Sequence, residues 1–159
     1  MTVPGWPVAF RGSHAVAAGL VTPDRLRGPR FLRLLPDVYC RAAAGPPDLL
    51  LRSLAAYRLV EGRGVLSGHS AAVLLDANCA PRRDVPAEVT LLDGNLRAHP
   101  GLAVRRDRLL DSEITTCRGI VCTTPLRTAF DLARGPVQDE AVVAVDRLAN
   151  RHRFSPDRC

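Results

Sequence analysis

The clearest periodic pattern in the sequence lies between residues 48 and 60, where apolar residues recur at the spacing of a helix. The positions expected to be buried are Leu50, Leu51, Leu54, Ala55, Tyr57 and Val60. Asp48 precedes this run and is a favourable helix-capping residue, while glycines follow at positions 62 and 64. The pattern predicts an amphipathic helix that Asp48 caps and that ends near Val60.

Further helices and strands are predicted along the rest of the chain. The predicted helices are Ser70–Asp76, a segment from Pro125 to Arg134 capped by Thr124, and Val137–Asn150. The predicted strands are Glu88–Leu92, Leu102–Asp107, Ile114–Arg118 and Ile120–Thr124, the last two joined by a tight turn at Arg118-Gly119. This order predicts a helix pair, a small antiparallel sheet and a second helix pair.

The first forty residues show a different order of elements. Ser13 is expected to cap a short helix, His14–Ala18, which Gly19 ends. Thr22 is expected to cap a second helix with Pro23 at its first position. Two strands, Phe31–Leu35 and Val38–Arg41, then follow, and Pro36-Asp37 between them is typical of a turn.

Helix, tight turn, helix and two-stranded ribbon is the order of a winged helix-turn-helix. Small Ala15 suits the close crossing of the two helices, and Gly19 lies four residues later, where the turn favours a residue without a Cβ. Leu20 and Leu26 are expected to fill the crossing. On this interpretation the second helix would enter the major groove of DNA, and the ribbon would lie along the adjacent backbone.

The uncharged segment AAAGPP at residues 42–47 is typical of a domain boundary. We therefore predict an α+β protein with a winged helix-turn-helix at residues 8–43 and an α+β domain at residues 48–152, whose small antiparallel sheet has flanking helices. Ser155-Pro156-Asp157 resembles a helix start shortly before the chain stops at Cys159. Residues 153–159 are accordingly predicted to be a truncated tail.

Charge adds weight to the first segment. The chain has a formal net charge of +6, and its sequence contains no lysine. Six arginines and two aspartates give residues 1–45 a net charge of +4, so the basic excess is concentrated there. The candidate DNA-binding residues are Thr22, Arg25 and Arg27 on the second helix, Arg30 and Arg33 as phosphate clamps at the base of the wing, and Arg41. The alternative is a solvated face of a small arginine-rich protein.

Catalytic chemistry finds little support in the sequence. The four histidines fall in four separate segments without metal-ligand spacing, and no nucleophile elbow, dinucleotide fingerprint or phosphate loop occurs. Asp107, Asp111 and Glu113 could hold Mg²⁺, but the neighbouring arginines favour a salt-bridged edge. Asp131 is expected to pair with Arg127 or Arg105. We expect neither an enzyme nor a metal or cofactor.

The compartment follows from two further features. The N-terminus has neither a basic start nor a sustained apolar stretch, and no apolar run approaches the roughly 20 residues that span a bilayer. The chain has five cysteines, an odd number, and no CxxC motif occurs. A disulfide framework is therefore not expected, although Cys117 and Cys122 could lie on one face of a hairpin. We expect a cytoplasmic protein without membrane contact.

Three stretches resemble a known family: GSHAVAAGLVTPDRLRGPRFLRLLPDVYC, VLSGHSAAVLLDA and GLAVRRDRLLDSEITTCRGIVCTTPLRTAFDLAR. They are similar to AbiEi-type antitoxins of actinobacteria, and the most specific pieces are RLLPDVY and VCTTPLRTAFDLA. In many relatives of this type the same region precedes a nuclease-like domain similar to very-short-patch-repair endonucleases. The resemblance covers about residues 8–158. The wing turn of such proteins usually carries glycine, where this chain has Asp37.

The resemblance implies a transcriptional regulator, the antitoxin of a type IV toxin-antitoxin system. Such proteins bind inverted repeats in double-stranded DNA of their own promoter and repress it. They oppose a nucleotidyltransferase-like toxin without forming a stable complex with it. Their reading residues lie on the winged domain, which here means Arg25, Arg27, Arg30 and Arg33. One alternative is a DNA-targeting fragment of a nuclease-like defence or repair protein that lacks its catalytic domain, and another is a protein-interaction domain with an incidental basic face.

Overall fold

The N-terminal part of the chain combines two short helices with a three-stranded sheet. The computed structural model describes residues 7–43, 45–81, 85–97, 99–135 and 138–154. The first elements are Phe10–Arg11 (β1), Gly12–Ala17 (α1), Pro23–Leu26 (α2), Phe31–Leu35 (β2) and Val38–Arg41 (β3). The strand order is β1-β3-β2, and both pairings are antiparallel. The two predicted strands are confirmed with their boundaries, whereas the two-residue β1 was not predicted.

Two details of the predicted helix pair are wrong. Ser13 does not cap α1, because the helix already begins at Gly12 and Arg11 occupies the cap position, where its side chain forms no bond to the helix's own backbone. Leu20 does not fill the helix crossing, since it is 63% exposed, and Val21 at 6% exposure is buried in its place. The left-handed conformation of Gly19, with φ of 69°, turns the chain so that the residue after Leu20 faces inward. Thr22 caps α2 as predicted.

The remaining elements form a second layer of helices and strands. In chain order they are Leu49–Val60 (α3), Gly64–Leu66 (β4), Gly68–Leu74 (α4), Ala87–Leu91 (β5), Leu102–Arg105 (β6), Ile114–Cys117 (β7), Ile120–Thr123 (β8), Pro125–Ala133 (α5) and Gln138–His152 (α6), with a single 3-10 turn at Asp111–Glu113. The caps predicted at Asp48 and Thr124 are confirmed by hydrogen bonds to the backbone N–H groups of Leu51 and Arg127. Val137, the predicted start of the last helix, lies outside the described residues.

The second sheet is mixed, so the prediction of an antiparallel sheet is wrong. Its order is β6-β5-β4-β8-β7, with β5–β6 and β4–β8 parallel and β4–β5 and β7–β8 antiparallel. The central strand β4 was missed because all three of its residues are buried, which leaves no alternating pattern to detect. A Cβ at Gly64 would lie 2.9 Å from the carbonyl oxygen of Thr90. Gly64 therefore permits close strand packing rather than ending a helix.

The two parts of the chain meet along α3. Leu35 and Val38 of the first sheet belong to the same buried cluster as Val60 and Leu66, which lie in the second part. Arg11 Nε donates to the carbonyl oxygen of Arg58 at 2.9 Å, and Arg58 Nε donates to the carbonyl oxygen of Ala9 at 3.2 Å. The first sheet is thus fixed against α3 through one of its faces. The division into domains at residues 42–47 stays a prediction.

Two expectations from the sequence concern the end of the chain and membrane-spanning segments. The helix start at Ser155-Pro156-Asp157 and most of the predicted truncated tail lie outside the described residues. Within the part of the chain that the structure describes, no helix has the length and apolar character required to cross a bilayer.

Candidate nucleic-acid interface

An aromatic cluster fixes the N-terminal helices to the first sheet. The Phe10 and Phe31 rings meet edge to face with centroids 5.7 Å apart, and the Phe10 and Tyr39 rings are stacked at 6.3 Å. The rings pack with Ala15 of α1, Val21, and Leu26 of α2. Such aromatic pairs contribute about 0.5–1.5 kcal/mol beyond the area they bury. Both helices are therefore held on one face of the sheet.

The first residue of α1 approaches this cluster very closely. A Cβ at Gly12 would lie 2.6 Å from Tyr39 Cε2 and 3.0 Å from Leu26 Cδ1. Glycine at this position lets the backbone of α1 rest directly on the Tyr39 ring. Leu26 of α2 packs against Gly12 and belongs to the same cluster as Tyr39. The close approach at Gly12 therefore also sets the distance between α2 and the sheet.

The helix α2 presents the first two candidate arginines. Thr22 Oγ1 accepts a hydrogen bond from Arg25 N at 3.4 Å, and Pro23 occupies the first helical position. Leu26 is buried while Arg25 and Arg27 are exposed. Because α2 has four residues, it is about 6 Å long at 1.5 Å per residue. The helix is one turn that points its basic residues away from the aromatic cluster.

The ribbon presents two more candidates on the same side of the sheet as the helices. In the β2–β3 ladder Arg33 pairs with Tyr39, and Phe31 pairs with Arg41. Residues directly opposite each other in an antiparallel ladder project to the same face. Arg33 and Arg41 therefore share the face that carries the aromatic cluster. Arg30 lies beside the open end of this ribbon, where its carbonyl oxygen accepts from Ala42 N at 3.0 Å.

Charge neutralisation differs among these arginines. Arg27 Nη1 forms an ion pair with Asp24 Oδ1 at 3.1 Å, and both side chains are exposed. Within the described residues no carboxylate lies in ion-pair distance of Arg25, Arg30, Arg33 or Arg41, and all four are exposed. An exposed pair such as Arg27–Asp24 contributes little and is readily exchanged for another anion. Four guanidinium groups, and a fifth after exchange, are available to phosphate oxygens.

The turn of the ribbon is anchored to α1 by Asp37. Its backbone is left-handed, with φ of 59°. Its carboxylate accepts from Ser13 N at 2.8 Å and from Ser13 Oγ at 2.6 Å, and its carbonyl oxygen accepts from Gly12 N at 2.8 Å. Asp37 thus supplies the cap that Ser13 was expected to supply. The sequence signal was present, because aspartate tolerates the left-handed region and also caps helices.

Two of the three acidic residues weighed as a metal site, Asp107 and Glu113, are paired with arginine. Arg127, whose side chain is 8% exposed, pairs with Asp107 at 3.1 Å, with Glu113 at 3.1 Å and with Asp131 at 2.9 Å. A hydrogen bond from Arg134, together with nearby arginine charges, holds the pKa of Asp107 below its usual value. The expected salt-bridged edge and the Asp131–Arg127 pair are confirmed. No cluster of three or more potential ligands for a metal ion occurs within the described ranges.

A second polar cluster was not anticipated. Glu88 on β5 accepts from His69 N at 2.5 Å and from Arg105 Nη2 at 3.0 Å, and its Oε2 lies 3.1 Å from His69 Nδ1. His69 therefore contacts Glu88 through both its backbone N–H and its ring. Glu88 was not singled out. Its signal was a glutamate inside an otherwise apolar strand, AEVTL, all of whose residues are buried.

Comparison with known proteins adds no assignment. No protein-family model matches this sequence, and no curated protein shows significant similarity to it. The chemistry of the surface therefore has to carry any functional conclusion.

Proposed function

We propose that residues 8–43 are a winged helix-turn-helix and that the chain is a DNA-binding transcriptional regulator. The observation that carries this proposal is a set of exposed arginines on α2, after α2 and on the β2–β3 ribbon that have no carboxylate partner among the described residues. Arginine forks onto phosphate oxygens and onto the guanine edge in the major groove. Arg127, in contrast, is buried and binds three carboxylates.

The connectivity of the first part supports the same proposal. A strand precedes the two helices and pairs with the last strand of the ribbon, giving the order β1-β3-β2. Winged helices have this arrangement, in which the sheet supports the helix pair and extends beyond it as a wing. Here α3 covers the opposite face of the sheet through Leu35 and Val38.

Each candidate residue has a distinct role on DNA. The exposed end of α2 would enter the major groove, where Arg25 and Arg27 contact base edges or phosphates. Arg30, Arg33 and Arg41 would hold the backbone next to the groove. Thr22 Oγ1 already accepts a bond from Arg25 N, so its hydroxyl proton remains to donate to a phosphate.

The more specific part of the proposal is that the regulator is a type IV antitoxin that represses its own promoter. This part rests on the resemblance of RLLPDVY and VCTTPLRTAFDLA to AbiEi-type proteins. This part of the proposal predicts a nucleotidyltransferase-like toxin that arrests growth. The chain would relieve that arrest without forming a stable complex with the toxin. Co-expression with the toxin encoded next to it should restore growth, while pull-down should recover neither protein with the other.

DNA binding is tested directly with the promoter upstream of the chain's own coding sequence. Fluorescence anisotropy of the full chain should show saturable binding that an unrelated duplex of equal length does not match. Arg25→Ala plus Arg27→Ala should weaken binding by about 1–3 kcal/mol for each arginine that reads a base. The matched control is Arg97→Ala plus Arg108→Ala, which removes the same charge from exposed positions outside residues 8–43.

The two double variants separate the proposal from general basicity. If both double variants lose the same affinity for the promoter, binding depends only on net charge. That result would contradict base recognition by the arginines of α2. Absence of binding by the wild-type chain at low salt would overturn the DNA-binding function itself.

A further inference from the structure

One exposed carboxylate lies among the basic side chains of residues 8–43. Asp24 is the second residue of α2, and its side chain is 92% exposed. The other aspartate in this part of the chain, Asp37, is anchored to the start of α1 by hydrogen bonds. Asp24 is therefore the carboxylate that would approach DNA together with Arg25 and Arg27.

A negative charge at this position opposes binding to the phosphate backbone. Contact with phosphates depends on positive charge, which displaces the counterions of the DNA. A surface that only held phosphates would bind more tightly with a neutral residue at position 24. The cap of α2 does not need this carboxylate either, because Thr22 Oγ1 accepts the hydrogen bond from Arg25 N. A role in the choice of DNA sequence accounts for the charge of Asp24.

Asp24 is paired with Arg27 on the same face of α2. Residues three apart in a helix are neighbours, and Arg27 Nη1 donates to Asp24 Oδ1 at 3.1 Å. Among the residues that the structure describes, Arg27 Nε, Arg27 Nη2 and Asp24 Oδ2 have no hydrogen-bond partner. One donor edge of the guanidinium group and one carboxylate oxygen are therefore available side by side.

These two free groups match the major-groove edges of guanine and cytosine. Guanine presents the acceptors O6 and N7, to which an arginine donates through two N–H groups. Cytosine presents an N4–H donor, which a carboxylate accepts, whereas thymine has the acceptor O4 and a methyl group there. In a G·C pair, guanine O6 and cytosine N4 are hydrogen-bonded to each other, so the acceptors and the donor are adjacent as well.

We propose that Asp24 and Arg27 together read one G·C base pair in the major groove, with Arg27 as the donor to guanine and Asp24 as the acceptor from cytosine. This inference rests on the proposed DNA-binding function and names a base pair that α2 selects. On an exposed surface the ion pair contributes little. When the groove excludes water, the lower local dielectric strengthens the same contacts, and Asp24 holds the guanidinium group in one direction.

The test selects bound duplexes from a library with random base pairs at its centre, using the full chain at one fixed salt concentration. Wild type should enrich one position for G·C in a single orientation, with a preference of about fivefold to hundredfold over A·T. Arg27→Lys keeps the charge but loses the forked donor, so guanine should no longer be preferred at that position. Asp24→Asn should lower the preference about fivefold or more, because an amide both donates and accepts.

Affinity for unrelated DNA should change in the opposite direction. Asp24→Asn should bind an unrelated duplex about threefold to tenfold more tightly than wild type at low salt, because one carboxylate no longer repels phosphates. The matched control is Asp139→Asn, which removes an exposed carboxylate from α6 and should change this affinity less than about twofold. It should also leave the selected sequence as in wild type. A purely structural role of Asp24 does not predict opposite changes in selectivity and in non-specific affinity.

Failure of this inference is distinguishable from failure of the DNA-binding function. If wild type binds no duplex and enriches no sequence, the function itself is contradicted. If wild type selects a sequence and Asp24→Asn selects it with the same preference, the role of Asp24 is overturned while DNA binding stands. Should Asp24→Asn not fold stably in urea titration, Arg27→Lys provides the same test, since an unchanged guanine preference in that variant contradicts the inference.

Discussion

Glu88 shows how a single carboxylate can be kept charged inside this fold. Burial by itself raises the pKa of Glu88, but hydrogen bonds from the His69 side chain and backbone and from Arg105 outweigh it and lower the pKa. The folded chain therefore binds a proton at this residue less readily than the unfolded chain does. Stability from this residue is present above the ordinary pKa of glutamate, 4.5, and is lost as the pH falls through the lowered value.

Glu88→Gln should flatten the acid side of the stability curve. At about pH 7 the variant should be less stable than wild type by about 1–3 kcal/mol, because Arg105 and His69 lose a charged acceptor. As the pH falls below about 4.5 and through the lowered pKa of Glu88, wild type should lose more stability than the variant. Urea unfolding at several pH values measures both effects.

The control for this prediction is Glu61→Gln, which removes the exposed Arg58–Glu61 pair on the same part of the chain. It should have the acid dependence of wild type. Asp131 acts in the opposite direction, since burial raises its pKa, so the difference between variant and wild type is the informative quantity. An identical acid dependence in Glu88→Gln and wild type would contradict the assigned role of Glu88.

At the scale of elements, the turn between β2 and β3 links this two-stranded ribbon to the helix pair. Asp37 combines a left-handed backbone with a carboxylate that holds the start of α1. A β-bulge between Arg33 and Leu35 directly before the turn lets Leu35 face α3 while Arg33 stays on the side of Tyr39. The position of the ribbon is therefore set by one turn residue and by the bulge.

Asp37→Ala should destabilise the chain by about 2 kcal/mol, since it removes both side-chain bonds to Ser13 and places alanine in the left-handed region. Asp37→Gly keeps the backbone conformation and loses only the carboxylate, so its cost should be smaller. Urea unfolding measures the stability of each variant. Promoter affinity, measured at a concentration of urea where all variants are folded, shows whether the ribbon keeps its position. Equal stability of Asp37→Ala and wild type would show that the Ser13 contacts contribute nothing.

Most elements followed from local signals, and the ones that were missed share a cause. Asp48, Thr124 and Pro125 mark helix starts by chemistry that acts within four residues, so α3 and α5 were predictable. Strand β4 has only three residues, and β1 has only two. Runs this short show no period, and they become strands only because neighbouring strands supply their hydrogen bonds.

At the scale of the whole molecule, charge is distributed in two different ways. In the second part buried or half-buried carboxylates engage arginines, as in the Arg127 and Glu88 clusters. In the first part most exposed arginines have no carboxylate in ion-pair distance among the described residues. The excess of +4 in residues 1–45 is therefore presented to solvent rather than neutralised.

Promoter binding should consequently fall steeply with salt. The slope of log K against log salt is about −0.9 for each phosphate contact, so four contacts predict a slope of about −3.6. Arg33→Ala should reduce the magnitude of the slope by about 1, and Arg153→Ala, an exposed arginine on the far part of the chain, should leave it unchanged. A slope near zero for wild type would contradict phosphate contact by these arginines.

The amino-acid sequence by itself determined the local elements and the place of the basic excess. Helix caps, the Pro36-Asp37 turn and the strand runs act over a few residues, and net charge is a sum that needs no coordinates. Only the tertiary structure decided what each charge faces. Arg127 meets Asp107 and Glu113 from 20 and 14 residues away, and Glu88 meets His69 from 19 residues away, because mixed strand pairing brings these positions together. Long-range packing of this kind, unlike capping, leaves no pattern in the neighbouring residues.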